Sequence, residues 1–411
     1  MTLRLAVRGG LNQIGATLRE TTFGRYVAGN AISLVGNWMQ RTAVGWLAWD
    51  LTGSVAWLGI VAFSDLFPTL IMGPIGGVLA DRHDRVRQIF ACQTALLLVA
   101  VALWLLTAAD MVGIAGLLAI TTLHGLIVGL NQPARLALVP SLVAPDRLRT
   151  AIAINSIVFN TARFIGPAVA GLLIATAGLD WTFFANALSY LPFLVALTTL
   201  RPIGEQRSKS RASFIGQLAE GLRFVAAEPS MRLLFALVIA AALLLRPLGE
   251  LLPALADGVF ARGATGLATL SAALGAGAVA GGIVMAMRRE ALGVDGMTAW
   301  FGALAVLLLL LSAAPAFWTA LPLVGACGFC LIASGVAAQT LMQERSPPDL
   351  RGRVMSLFGI TFRAGPAVGA LILGFLADLI GLRPALALGA LTFVAAALAL
   401  RHHATRTPSG P

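Results

Sequence analysis

The sequence predicts an all-α polytopic membrane protein: twelve transmembrane helices arranged as two pseudo-symmetric six-helix bundles. Three observations carry this. Only 11% of the 411 residues are charged, 58% are hydrophobic and the mean hydropathy is +0.87, whereas a soluble chain carries about 25% charge. Apolar stretches of about 20 residues or more, enough to cross a bilayer, recur twelve times. Arginines gather at every second exit from these stretches. The apolar runs are continuous rather than alternating, which excludes a membrane barrel.

In order, the expected spans are 24–50, 54–80, 88–109, 112–134, 149–177, 180–200, 230–257, 264–287, 297–314, 317–342, 351–380 and 383–401. Residues 1–22 hold Arg4, Arg8, Arg19 and Glu20 among apolar residues, without a cleavable signal pattern, and suit a short interfacial helix. The longest polar stretch, 201–229, reads as a cytoplasmic linker with a surface helix from Phe214 to Ala227. It separates an N-terminal bundle (23–200) from a C-terminal one (230–401), and a tail (402–411) follows.

The net charge of +11 invites a nucleic-acid reading, but its distribution opposes one. With the N-terminus in the cytoplasm, the cytoplasmic segments take Arg82, Arg85, Arg87, Arg135, Arg147, Arg149, Arg207, Arg211, Arg288, Arg289, Arg345, Arg351, Arg353, Arg401 and Arg406. The outer loops keep only Arg262 and Arg383. This is the positive-inside pattern, and it fixes an even number of spans with both termini inside. Lys209 is the sole lysine. Cys92, Cys327 and Cys330 lie in apolar spans without further ligands, so they read as small packing residues; neither a metal site nor a cofactor is expected.

The loop Gly76-Gly77-Val78-Leu79-Ala80-Asp81-Arg82-His83-Asp84-Arg85-Val86-Arg87 separates the second and third spans. Gly77 is expected to let a neighbouring helix approach. Asp81 suits the positive N-terminal end of a facing helix, and the arginines suit a cytoplasmic membrane surface. The spacing Gly77-x-x-x-Asp81-Arg82-x-x-Arg85-x-Arg87 resembles the signature between helices 2 and 3 of the major facilitator superfamily. Asp84 stands where that signature usually has glycine. Aspartate there is similar to a drug-efflux and siderophore-export branch of the superfamily, as is the run from Asn131-Gln132-Pro133-Ala134-Arg135 to Asn160.

Internal repeats agree with that architecture. Pro145-Asp146-Arg147-Leu148-Arg149 leads to Gly166-Pro167-Ala168-Val169-Ala170-Gly171. Pro348-Asp349-Leu350-Arg351 leads to Gly365-Pro366-Ala367-Val368-Gly369-Ala370. Gly281-Gly282 before Arg288-Arg289 is a decayed copy of the opening loop. The motif at Gly166, Pro167 and Gly171 resembles the superfamily's antiporter motif, with tight helix packing as the plainer explanation.

A charge inside the bilayer costs several kcal/mol, so each demands a partner or a purpose. Arg41 and Asp65 fall about 16–20 Å from the same outer turn at 1.5 Å per residue, so they can pair, either as a static ion pair or as a protonation site. Arg246 and Glu250 are spaced i,i+4, with self-pairing as the alternative to proton carriage. Arg163 and Arg363 precede Gly166-Pro167 and Gly365-Pro366; they suit an anionic substrate or pair across helices with Asp65 or Glu250. His124 lies mid-span and is either a packing residue or a coupling residue. Asn30, Ser33, Asn37 and Arg41 form a polar stripe that must face a cavity or another helix.

The resemblance implies a secondary active transporter of a bacterial inner membrane, monomeric in a lipid bilayer. It would export a small amphipathic organic compound, drug-like or siderophore-like, by alternating access in exchange for protons. Asp65, Glu250 and His124 are the proton-coupling candidates. Gly77, Asp81, Arg82, Arg85 and Arg135 form the cytoplasmic gate, with Arg135 able to meet Asp81 in an outward-open or occluded state. Asn37, Arg41, Asn160, Arg163, Arg246 and Arg363 line the substrate cavity. Trp38, Trp46 and Phe159 supply aromatic contact. The alternatives are uptake or lysophospholipid-type transport, and, from another class, a non-transport membrane protein. Against the last, the chain holds no H-E-x-x-H and no nucleotide-binding G-x-x-x-x-G-K-[ST] run.

Overall fold

Inside a bilayer the backbone must satisfy its own polar groups, and a continuous apolar chain does so as helices. In the computed structural model, which describes residues 13, 15–200, 214–288 and 292–406, every regular element among those residues is helical. The first half runs α1 (Thr21–Thr52), α2 (Val55–Arg82), α3 (Arg85–Ala108), α4 (Ile114–Leu138), α5 (Leu148–Thr176) and α6 (Leu179–Thr198). Then come α7 (Phe214–Ala227), α8 (Pro229–Leu244), α9 (Leu248–Pro253), a π-helical turn (Ala254–Val259), α10 (Gly263–Met287), α11 (Val294–Ser312), α12 (Phe317–Arg345), α13 (Arg351–Ile380) and α14 (Leu382–Arg406). Among the described residues, eleven spans are long and apolar enough to cross a membrane. α1 has the length, 32 residues, but Asn30, Ser33, Asn37, Gln40 and Arg41 dilute its apolar content.

Most of the expected interfacial segment 1–22, with Arg4 and Arg8, lies outside the described residues, as do 201–213 of the linker, Arg289 and 407–411 of the tail. Residues 15–18 are helical, and α7 is the surface helix expected before the seventh span.

The seventh span departs from the continuous 230–257 helix read from sequence. It breaks after Leu244 and resumes at Leu248. Pro247 has no N–H to give to the preceding turn, and the amide of Arg246 reaches back to Ala241 O rather than to the next carbonyl. Arg246 lies within the break and Glu250 in the short helix that follows it.

Two compact units divide the chain: Met1–Val44 with Phe67–Ser210, and Gly45–Leu66 with Arg211–Pro411. The hairpin joining α1 to α2 therefore belongs with the second unit. In lipid no hydrophobic force draws helices together, so close packing through small residues must do it. In the first unit a methyl group on Gly29 would sit 2.8 Å from Phe193 Cα, and one on Gly36 would strike Ser189 and Asn186. Both lie where α1 crosses α6. In the second unit Gly277 faces the backbone of Gly325, and Gly328 that of Leu274, where α10 crosses α12.

The repeat seen in sequence has a shared packing role. Gly166 of α5 sits against Trp38 and Met39 of α1. Gly365 of α13 sits against Ala242 of α8. Each Gly-Pro pair thus presses the fifth helix of its half onto the first. Pro167 and Pro366 stay inside unbroken helices, and Gly171 is buried. The arginines opening the fifth helix of each half are also tethered alike. Arg147 donates to Glu20 at 2.6 Å, and Arg353 to Glu220 of α7 at 2.5 Å.

Candidate functional site

The polar stripe of α1 is spent largely on neighbouring helices of the first unit. Ser33 Oγ donates to Gln93 of α3 at 3.4 Å. Gln40 accepts from Asn186 of α6. Asn37 Oδ1 accepts from the Tyr190 hydroxyl at 3.2 Å and lies 3.0 Å from His124 Nε2. That geometry makes His124 a donor through Nε2 and a partner of a cavity candidate. Asn160, expected in the cavity, is exposed and bonds Ser156 one turn back on its own helix.

The gate residues are only partly brought together. Arg85 ties the loop down, donating from Nε to Ala80 O at 3.3 Å and from Nη1 to Ala137 O at 3.2 Å. Asp84 accepts from the Arg87 amide at 3.0 Å as the N-cap of α3, which gives the aspartate in place of glycine a local purpose. Asp81 and Arg82 are exposed. Arg135 does not turn to Asp81: it donates to Asn30 Oδ1 and lies over the Phe193 ring. The reason is burial. Asn30 is 1% exposed and a buried amide oxygen needs a donor. Arg135→Ala is expected to cost about 1–3 kcal/mol, the penalty of leaving that oxygen unsatisfied, read as a lower thermal midpoint of the purified protein; an unchanged midpoint would remove the argument.

Gly77 is a second correction. A methyl group there would meet only Pro133 Cβ at 3.9 Å, an ordinary contact. The close approach is at Gly76, where a methyl would lie 2.6 Å from Leu130 O and 2.7 Å from its Cα. Gln88 staples this crossing of α2 and α4, donating to Gly76 O at 3.0 Å and Leu130 O at 2.8 Å.

Three intramembrane arginines, Arg41, Arg163 and Arg246, sit on aromatic rings. Arg41 and Arg163 each hold their guanidinium carbon 5.5 Å from the centre of the Trp38 indole, and Phe159 meets that indole edge-on at 5.9 Å. In the second unit Arg246, 7% exposed, lies 3.7 Å from the centre of the Phe362 ring and donates to Leu331 O at 3.3 Å. Arg163 and Phe362 each stand three residues before the glycine of their Gly-Pro pair. The register equivalent of Arg163 is therefore Phe362, and Arg363 beside it is exposed. Arg41 belongs to the first unit, Asp65 and Glu250 to the second.

Sequence reading passed over a cluster in the second unit, on the α1–α2 hairpin. Asp378, near the end of α13, accepts from Ser54 Oγ at 2.5 Å, Val55 N at 2.7 Å and Ala56 N at 3.3 Å. It caps α2 from another helix. Trp49 Nε1 donates to Asp257 at 2.9 Å. Ser54 after the Gly53 turn was the available signal for the start of α2; nothing local marked Asp378 as its partner.

The family model described as transmembrane secretion effector (MFS_3) matches residues 14–409. The chain belongs to that family. It is thus a transporter of the major facilitator superfamily and a multi-pass membrane protein. Among similar proteins, the multidrug efflux pump Tap of Mycolicibacterium fortuitum is 29% identical, over 86% of this chain and 87% of its own. The enterobactin exporter EntS of Escherichia coli is 26% identical over 80% of this chain and 75% of its own. The staphyloferrin A transporter of Staphylococcus aureus is 28% identical, but the match spans only 43% of this chain and 44% of that protein. In fold, the transporter is similar to the nucleoside transporter NupG (TM-score 0.72, 12% identity, 94% of this chain and 99% of that one). It is similar also to a bacterial homologue of the iron transporter ferroportin (TM-score 0.70, 18% identity, 94% and 99%).

Proposed function

We propose that this transporter exports a small amphipathic organic compound, drug-like or siderophore-like, across the bacterial inner membrane in exchange for protons. The observation that carries the reading is the near full-length similarity to a multidrug efflux pump, within a family described as secretion effectors. The arginine-rich loops support a cytoplasmic location for both termini, by the positive-inside rule. Two carboxylates in the middle of the spans, Asp65 and Glu250, are the candidate proton carriers, because a carboxylate held inside a membrane is rare and marks a relay by default. His124 is bound to Asn37 and fits a positioning role better than a proton-carrying one. Alternating access would break and remake contacts at the arginine-rich end, with Asp81, Arg82, Arg85 and Arg135 as the gate.

The test is compound-driven proton movement in proteoliposomes, with wild type, Asp65→Asn and Glu250→Gln against a panel of dyes, antibiotics and catechol siderophores. Coupled flux that one of the two substitutions abolishes is expected, and it names the carrier. Compound movement with no proton flux, or uptake rather than extrusion, would overturn the exchange reading.

A further inference from the structure

Membrane proteins keep arginine away from one face, and this chain does so with two exceptions. Arg262 and Arg383 are the basic residues of its arginine-poor end. Both belong to the second unit, and one chain of aromatic rings holds them. Arg262 lies 5.6 Å from the centre of the Phe317 ring and 5.9 Å from that of Trp318. Phe317 meets Trp318 at 5.3 Å and Phe260 at 5.9 Å, both edge-on. Arg383 lies 5.5 Å from the centre of Phe260. Phe260 and Arg262 follow the π-helical turn of the seventh span, Phe317 and Trp318 open α12, and Arg383 stands in the first turn of α14. The turn that places Arg262 is a built one: Ala261 takes the left-handed region at φ 51°, and the Arg262 amide reaches back to Ala256 O at 2.9 Å.

A ring face attracts a guanidinium but takes none of its N–H donors. Among the described residues no acceptor meets either side chain. Each arginine has an aspartate five residues before it, and both aspartates are engaged elsewhere. Asp257 takes the Trp49 indole N–H at 2.9 Å, and Asp378 takes Ser54, Val55 and Ala56. The surroundings decide which anion fits. Trp318 is 65% exposed, and Leu379, in the last turn of α13, is 83% exposed. Along α14 from Arg383, Leu388, Leu391 and Leu398 are exposed on one face. Exposed leucines on a membrane span meet acyl chains, and tryptophan concentrates at headgroup level. The donor forks thus stand at the head of an apolar surface, from which a soluble anion gains nothing. Guanidinium groups bind phosphate oxygens through paired donors. We propose that Arg262 and Arg383, on the rings of Phe260, Phe317 and Trp318, form a headgroup site for an anionic phospholipid whose acyl chains run along α14. The site is independent of the export reading; only the name of its leaflet depends on the orientation proposed above.

The experiment is photo-crosslinking of the purified full-length protein in detergent. The probe is phosphatidylglycerol with a diazirine in one acyl chain, and mass spectrometry maps the labelled peptides. Wild type is expected to be labelled around Trp318 and between Leu379 and Leu391. Unlabelled competitors then define the chemistry at those peptides. Phosphatidylglycerol should displace the probe about tenfold better than phosphatidylcholine (the same chains, no net charge). Glycerol phosphate (the charge without the chains) should not displace it. Arg262→Gln and Arg383→Gln are each expected to cut labelling there about tenfold, the loss of a charged hydrogen bond. Arg383→Lys should recover part of that, because charge returns without the planar fork. Arg288→Gln, at the opposite end of α10, should leave it unchanged, which separates this site from general attraction to the arginine-rich loops. Equal displacement by phosphatidylcholine would overturn the site, and displacement by glycerol phosphate would make it a soluble-anion site instead. Labelling indifferent to both arginine substitutions, or lowered as much by Arg288→Gln, would also overturn it. The wild-type competition needs no variant to fold.

Discussion

Gly76→Ala is expected to destabilise the transporter by about 1–3 kcal/mol, the usual cost of overpacking, while Gly77→Ala beside it is neutral or mildly stabilising. The two positions differ in what a methyl group meets. At Gly76 it meets Leu130 O at 2.6 Å, Leu130 Cα at 2.7 Å and Gly129 O at 2.9 Å. All three are backbone atoms of α4 and cannot rotate aside. α2 and α4 would have to separate, and Gln88 could no longer span Gly76 O and Leu130 O. At Gly77 the nearest atom, Pro133 Cβ, is 3.9 Å away. There alanine replaces the residue that loses most entropy on forming a helix, a gain of up to about 1 kcal/mol. Thermal unfolding of the two purified variants side by side checks this. Equal loss in both would mean that the family signature glycine is packed as the sequence reading supposed.

That contrast shows where sequence reasoning holds and where it stops. Eleven of the twelve expected spans, the helix Phe214–Ala227 and the paired Gly-Pro motifs were legible, because length, hydropathy and repetition are properties of the chain itself. Which of two adjacent glycines faces α4 was not, because it depends on helix rotation and a step of one residue turns the contact face by about 100°. The same limit explains Arg363. It matches Arg163 by residue type, yet Phe362 holds the equivalent register, and the partner arginine comes from the broken seventh span as Arg246. Arg135 was read by sequence toward Asp81, but Asn30, far away in the chain and buried, sets its direction.

Asp378→Ala is expected to raise hydrogen exchange at the start of α2 and to lower stability by about 1–2 kcal/mol, the range for removing a helix cap. The first amides of a helix have no partner within it, and at Val55 and Ala56 that partner is the Asp378 carboxylate. Its negative charge also faces the positive end of the α2 dipole. Asp378 is exposed, so water replaces part of what is lost, and the cost falls toward the lower figure. Around it the packing is close: methyl groups built on Gly374 and Gly59 would lie 2.6 Å from Val55 O and 2.5 Å from Leu371 Cα. The hairpin therefore depends on the carboxylate for polar satisfaction and on glycine for proximity. Asp378→Asn keeps one oxygen acceptor and gives up the charge, so its exchange should fall between wild type and Asp378→Ala. Exchange over residues 54–60 that is the same in all three proteins would remove the capping role. Asp65 lies ten residues beyond Val55 on the same helix, about 15 Å along its axis. If the proposed exchange runs through Asp65, slack at the cap would reach it along α2, and the coupled flux in Asp378→Ala is then expected to fall further than in Asp378→Asn.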